Sequence, residues 1–126
     1  MVTVEWKKEE DQKWFDFLKT NLSDSRFDQA KGVYIVWHGG ENPGIVCVGR
    51  GEIRERLKTH LKDQAVLKFQ TAKLYMTWAT VLENERVGVE KYLFEKLHPS
   101  VACELGNDEP IPVNLPWKSQ KQNQKG

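Results

Sequence analysis

No apolar run in this sequence approaches the roughly 18 residues needed to cross a bilayer, and its opening, MVTVEWKKEEDQKW, lacks the apolar core of a secretory signal. An intracellular, soluble, cytoplasmic protein with no membrane partner is expected. Cysteine is scarce: Cys47 and Cys103 lie in different segments without CxxC spacing, which indicates neither a disulfide framework nor a structural zinc site. Both read as small buried residues. His38, His60 and His98 are also scattered, without the paired spacing of a zinc motif, so any metal is expected to prefer oxygen. A large net charge is missing too, the balance being +1, which argues against a histone-like binder. No internal repeat is visible.

What is present suffices for a core. With 126 residues, 39% of them hydrophobic, the chain is long enough for one compact domain and too short for two. Its charge is separated: residues 50 to 73 carry seven basic side chains against three acidic ones, and the tail adds Lys118, Lys121 and Lys125. Acidic residues gather near the N-terminus and between 83 and 109. On charge alone, ordinary solvated faces explain this pattern.

Periodicity supplies the elements. Residues 8 to 22, with Trp14, Phe17, Leu18 and Leu22 near helical spacing, predict an amphipathic helix. GVYIVW at 32 to 37 and GIVCVG at 44 to 49, joined by HGGENP, predict an antiparallel hairpin. The stretch 52 to 63 repeats Ile53, Leu57 and Leu61 at four-residue steps and predicts a helix. KLYMTWATV at 73 to 81 is a third strand, and a helix follows that stops at Pro99. Beyond it lies a proline-rich loop that packs back through Val113 and Trp117, then a disordered polar tail. The expected fold is therefore α+β: a small three-stranded antiparallel sheet flanked by helices, with an extra N-terminal helix. Its expected divisions are a helical extension at 1–31, a domain at 32–117 and a tail at 118–126.

The last helix poses a question. Glu90 shares a helical face with Val87, Leu93, Phe94 and Leu97, whereas Glu85 and Glu95 fall on the outer side. An ionised carboxylate on that face costs several kcal/mol unless something positive meets it. A structural answer is a salt bridge to Arg86 or Arg56. On the 52 to 63 helix, Arg56, His60 and Asp63 share one flank, while Arg54 and Lys58 occupy the other. Four residues apart, Arg56 and His60 are surface neighbours, either a solvated helix edge or a phosphate clamp built on the planar donor fork of Arg.

Taken in order, GVY at 32 to 34, CVG at 47 to 49, Arg56 with His60 four residues on, Glu90 in a later helix, and Asn114 in PVNLP resemble the GIY-YIG endonuclease family. The resemblance spans roughly residues 32 to 117. It implies a metal-dependent endonuclease that hydrolyses DNA phosphodiester bonds, with RNA not excluded. Glu90 would bind a single divalent cation, Mg2+ or Mn2+. Arg56 would stabilise the attacked phosphate, Tyr34 and His60 would orient or deprotonate water, and Arg50 would lie near the phosphate. Gly32, Gly49 and Asn114 would support the site structurally. Three features depart from the family pattern: Cys47 stands where the second motif has a tyrosine, with Tyr75 as a candidate substitute phenol; the helix after CVG is shorter by about a residue; and Asn114 lies unusually far beyond Glu90, which implies an insertion around CELGNDEPI. Arg54 is the alternative to Arg56, which the flank shared with His60 favours.

Every one of these residues has a plain structural role open to it. Tyr34 reads equally as a strand tyrosine, His60 as a helix-end cap, Arg50 as strand decoration and Asn114 as a loop residue. The sequence shows no zinc finger, helix-turn-helix or second domain for extended readout, so a nuclease here would be directed by DNA structure or a targeting protein. The competing expectations are a nucleic-acid-binding module that no longer cleaves, and a protein-interaction domain acting through its N-terminal helix.

Overall fold

The hairpin run GVYIVW is apolar on both faces, and the structure puts it where both faces are covered. The computed structural model describes residues 1–101, 106 and 108–117; Cys103 and the tail at 118–126 lie outside the described residues. Among the described residues four strands form one antiparallel sheet, β1 (Phe15–Asp16), β2 (Lys31–His38), β3 (Gly44–Glu52) and β4 (Leu74–Thr80), in the order β1-β4-β2-β3. The α+β class is as expected, but the sheet has four strands rather than three. Among the described residues three α-helices accompany it: α1 (Ile53–His60), α2 (Gln64–Leu67) and α3 (Arg86–Leu97).

Central β2 divides the core in two. Tyr34 and Val36 point to one side with Cys47, Met76 and Trp78, where Ile53 and Leu57 of α1 cover them. Val33, Ile35 and Trp37 point to the other with Val48 and Ala79, under Val89 and Leu93 of α3. Strand alternation assigns these faces. The β2/β3 register slips once, between Val36 and Trp37, where Val36 pairs with Cys47 and Trp37 with Ile45. Val46 is the extra residue of that bulge.

The N-terminal helix does not form. Residues 10 to 12 make a turn, with Gln12 at φ 68°, and the Lys13 amide donates to the Asp11 carboxylate. Phe15 and Phe17, two apart, are both buried, while Leu18, assigned to the helical face by its spacing, is 43% exposed. Two-residue alternation is the strand period, and β1 uses it to pair with β4. The segment is integral to the core: Phe15, Phe17, Leu22, Phe27 and Ala30 belong to the α1-side cluster and Trp6 to the α3-side cluster.

Beyond α3 the chain turns at His98, whose left-handed backbone lets its amide bond the Phe94 carbonyl just before Pro99. Ser100 and Val101 then donate amide bonds to Ile45 and Val46 on the outer edge of β3. Further on, Val113 is buried and bridges Val2, and the Trp117 ring stands edge-on to Trp37 at 5.0 Å between centroids, the two residues through which the loop was expected to pack back.

Candidate active site

β3 is an edge strand, and past the stretch covered by Ser100 and Val101 it borders a cleft of about 440 Å³. α1 approaches from one face of the sheet and α3 from the other, so the cleft joins side chains from both cores. Tyr34, Cys47, Gly49, Arg50, Arg56, His60 and Glu90 line it, together with Val48, Thr59, Asp63 and Val101. Of the residues the sequence assigned to the site, Gly32 and Asn114 lie elsewhere, as do the alternatives Arg54 and Tyr75.

On the α1 side, the Tyr34 hydroxyl and His60 Nε2 are 2.6 Å apart, a short hydrogen bond between buried groups. Gly49 makes room for it. It pairs with Tyr34 across the strands, and a Cβ there would stand 2.8 Å from Tyr34 Cε2 and closer still to the hydroxyl. Burial raises the Tyr34 pKa well above the ordinary phenol value, so this group stays protonated. His60 is shifted down from 6.5, first by burial and then by the Arg56 charge, so the imidazole is neutral near pH 7. A protonated phenol beside a neutral imidazole can donate to Nε2 or accept from it. His60 Nδ1 is buried without a hydrogen-bond partner among the described residues.

The Arg56 charge reaches three groups of the cleft, Tyr34, His60 and Glu90. Arg54 is committed elsewhere: it donates to the Leu22 and Asp24 carbonyls and to the Asp28 carboxylate at 2.7 to 3.0 Å, pinning α1 to the N-terminal segment. That separates the two arginines the sequence left as alternatives.

On the α3 side, Glu90 is 4% exposed, and its Oε1 accepts from Arg50 Nε at 2.9 Å. The carboxylate is therefore met by neither Arg86 nor Arg56. Arg86 instead donates to the Val81 carbonyl. The apolar face around Glu90 is also rotated from its expected position: Gly88, Val89 and Leu93 are buried with it, while Val87, Phe94 and Leu97 are only partly so. Burial raises the Glu90 pKa above 4.5, and Arg50, then Arg56, oppose that shift.

Glu90 is a single carboxylate, and among the described residues no three His, Cys, Asp or Glu side chains are grouped to hold a metal ion. Its second oxygen has no protein hydrogen bond among the described residues. One hard oxygen ligand beside an open cleft fits a divalent cation that keeps most of its water shell, as magnesium does. It does not fit a caged site.

The remaining candidates divide by position. Gly32 supports the sheet rather than the cleft, since a Cβ there would meet the β4 backbone, 2.8 Å from the Val81 nitrogen and nearer to the Ala79 carbonyl. Asn114 clamps the N-terminal segment: its side chain exchanges hydrogen bonds with both the amide and the carbonyl of Val4, at 2.8 and 3.0 Å. Tyr75 cannot stand in for the phenol replaced by Cys47, because it lies on the opposite sheet face, stacked on Trp37. Thr59 and Val101 were not singled out from the sequence. Thr59 is three residues beyond Arg56, a spacing that signals the shared flank, whereas Val101 arrives by a loop and leaves no such signal.

Compared with protein-family models, curated proteins and solved structures, the chain matches none.

Proposed function

We propose that this protein is a metal-dependent endonuclease of the GIY-YIG type, hydrolysing DNA phosphodiester bonds at sites chosen by DNA structure or by a targeting protein. The observation that carries the reading is convergence. Tyr34 and His60 in hydrogen-bond contact, Arg56, Arg50 and Glu90 come from two strands and two helices spread over nearly sixty positions, and all line one cleft.

The chemistry asks for these groups. Phosphodiester hydrolysis builds negative charge on the non-bridging oxygens and the leaving alkoxide, so a fixed guanidinium aimed there stabilises the transition state more than the ground state. Arg56 takes that role, with Arg50 as a second donor fork. The Tyr34 phenol, joined to a neutral His60, passes a proton from the attacking water to Nε2. Glu90 would hold the divalent cation, which when bound neutralises phosphate charge.

The test is cleavage of labelled single-stranded, duplex, flap and branched DNAs, with RNA counterparts, in Mg2+ or Mn2+. Metal-dependent cutting by the wild type that falls a hundred- to a thousandfold in Arg56→Ala and in Glu90→Gln is the expected result. Cys47, lining the cleft at the position of the family's second tyrosine, favours one other reading, a module that binds nucleic acid without cutting it. Salt-dependent binding with no turnover by any variant would select that reading. The protein-interaction reading rested on an N-terminal helix, and residues 8–22 form a turn and β1 instead.

A further inference from the structure

Arg50 and Glu90 make an unequal pair. Glu90 is held on α3 with its side chain 5% exposed, whereas the Arg50 side chain is 39% exposed and borders the cleft. The contact uses Arg50 Nε alone. Its two terminal nitrogens, the fork that best fits a phosphate, have no protein partner among the described residues. Gly51 follows at φ +121°, and β3 runs on only to Glu52 before α1 begins at Ile53.

We propose that Arg50 is an exchangeable counterion that couples the two ligands of this cleft: it occupies Glu90 until a phosphodiester draws its guanidinium away, and the vacated carboxylate then takes the divalent cation. The inference rests on the reading of Glu90 as the cation ligand. Without phosphate, the guanidinium bound at Oε1 already neutralises the single carboxylate charge that the cation needs, so cation binding is weak. A phosphate engaging Arg50 leaves a nearly buried carboxylate short of its counterion and adds negative charge to the same cleft, and both changes favour a cation. Because linkage is reciprocal, the cation strengthens phosphate binding by the same factor. Free protein is thereby kept from loading metal away from DNA.

The experiment titrates Mn2+ against the full chain and follows loss of the free-ion electron paramagnetic resonance signal. It is run with and without a short phosphorothioate duplex that resists hydrolysis, and Glu90→Gln measures ion held by the DNA itself. Three results are expected. Wild type binds Mn2+ weakly alone and roughly tenfold more tightly with the duplex. Arg50→Gln binds it more tightly without DNA. The duplex then adds little to the affinity of that variant. Circular dichroism of Arg50→Gln confirms that it folds, and the wild-type pair of titrations tests the coupling even if it does not. Binding that requires Glu90 but is unchanged by the duplex overturns the exchange and leaves the cation site standing. Binding that is the same in wild type and Glu90→Gln overturns both.

Discussion

Tyr34 and His60 show how burial sets the chemistry of single residues. The folded His60 pKa lies below its ordinary 6.5, so below that pH the unfolded chain takes up a proton that the folded chain refuses. Its contribution to stability is complete above pH 6.5 and declines as pH falls from there toward the folded value. Glu90 behaves oppositely. Its folded pKa is raised above 4.5, so its contribution is present below 4.5 and is lost as pH rises through the folded value. Glu90→Gln, which can still accept from Arg50, is therefore expected to melt a few degrees higher than wild type at pH 8 and to lose that advantage near pH 4.5. A stability gain with loss of cleavage is the pattern of a functional carboxylate; a lower melting temperature at pH 8 contradicts it. Tyr34→Phe removes the hydroxyl that meets His60 Nε2 and leaves a second unsatisfied ring nitrogen beside the existing one. The expected cost is about 1 to 3 kcal/mol in denaturant unfolding, with cleavage reduced about a hundredfold.

Among the elements, the hairpin positions the site, and its two glycines fail in different ways when filled. Gly49→Ala presses a methyl against the Tyr34 ring, a side chain that can shift, so the fold survives at about 1 to 3 kcal/mol while the Tyr34–His60 contact is broken. Gly32→Ala presses against the β4 backbone, which cannot shift without losing its ladder to β2, so the expected result is insoluble or unfolded protein. Thermal melts and activity of both variants separate the cases. Equal behaviour would contradict the packing described. The elements β2, β3, β4, α1 and α3 were legible within a few residues, because the strands are contiguous runs of apolar and β-branched residues and the helices carry apolar residues at helical spacing. The segment at 8 to 22 misled, because Trp14, Phe17, Leu18 and Leu22 match a helical stripe while Phe15 and Phe17 match a strand. β4 offered an unpaired edge, and backbone pairing with burial of both phenylalanines won.

For the whole molecule, the expected division at residue 31 has a direct test. Trp6, Phe15, Phe17, Leu22, Phe27 and Ala30 contribute to both cores. Each large side chain among them is worth about 1.5 to 3 kcal/mol of burial, so removing all of them exceeds much of the roughly 5 to 15 kcal/mol by which a domain of this size is stable. A chain beginning at residue 32 is expected to lack a cooperative unfolding transition, and a sharp melt from that fragment would show the extension to be dispensable. Asn114→Ala, by contrast, loosens the Val4 clamp far from the cleft and is expected to cost about 1 to 3 kcal/mol without changing cation affinity.

The sequence alone determined that Arg56 and His60 share a helix flank, that Glu90 lies on a buried face and that Tyr34 sits on a strand, since each statement depends only on spacing within one element. The tertiary structure decided what those residues meet. Arg50 and Glu90 are 40 positions apart and Tyr34 and His60 are 26. Their contacts follow from β3 being the sheet edge and from α1 and α3 packing on opposite faces beside it. No local period encodes that arrangement, because it is set by which strand edges find partners and which faces the whole chain can cover.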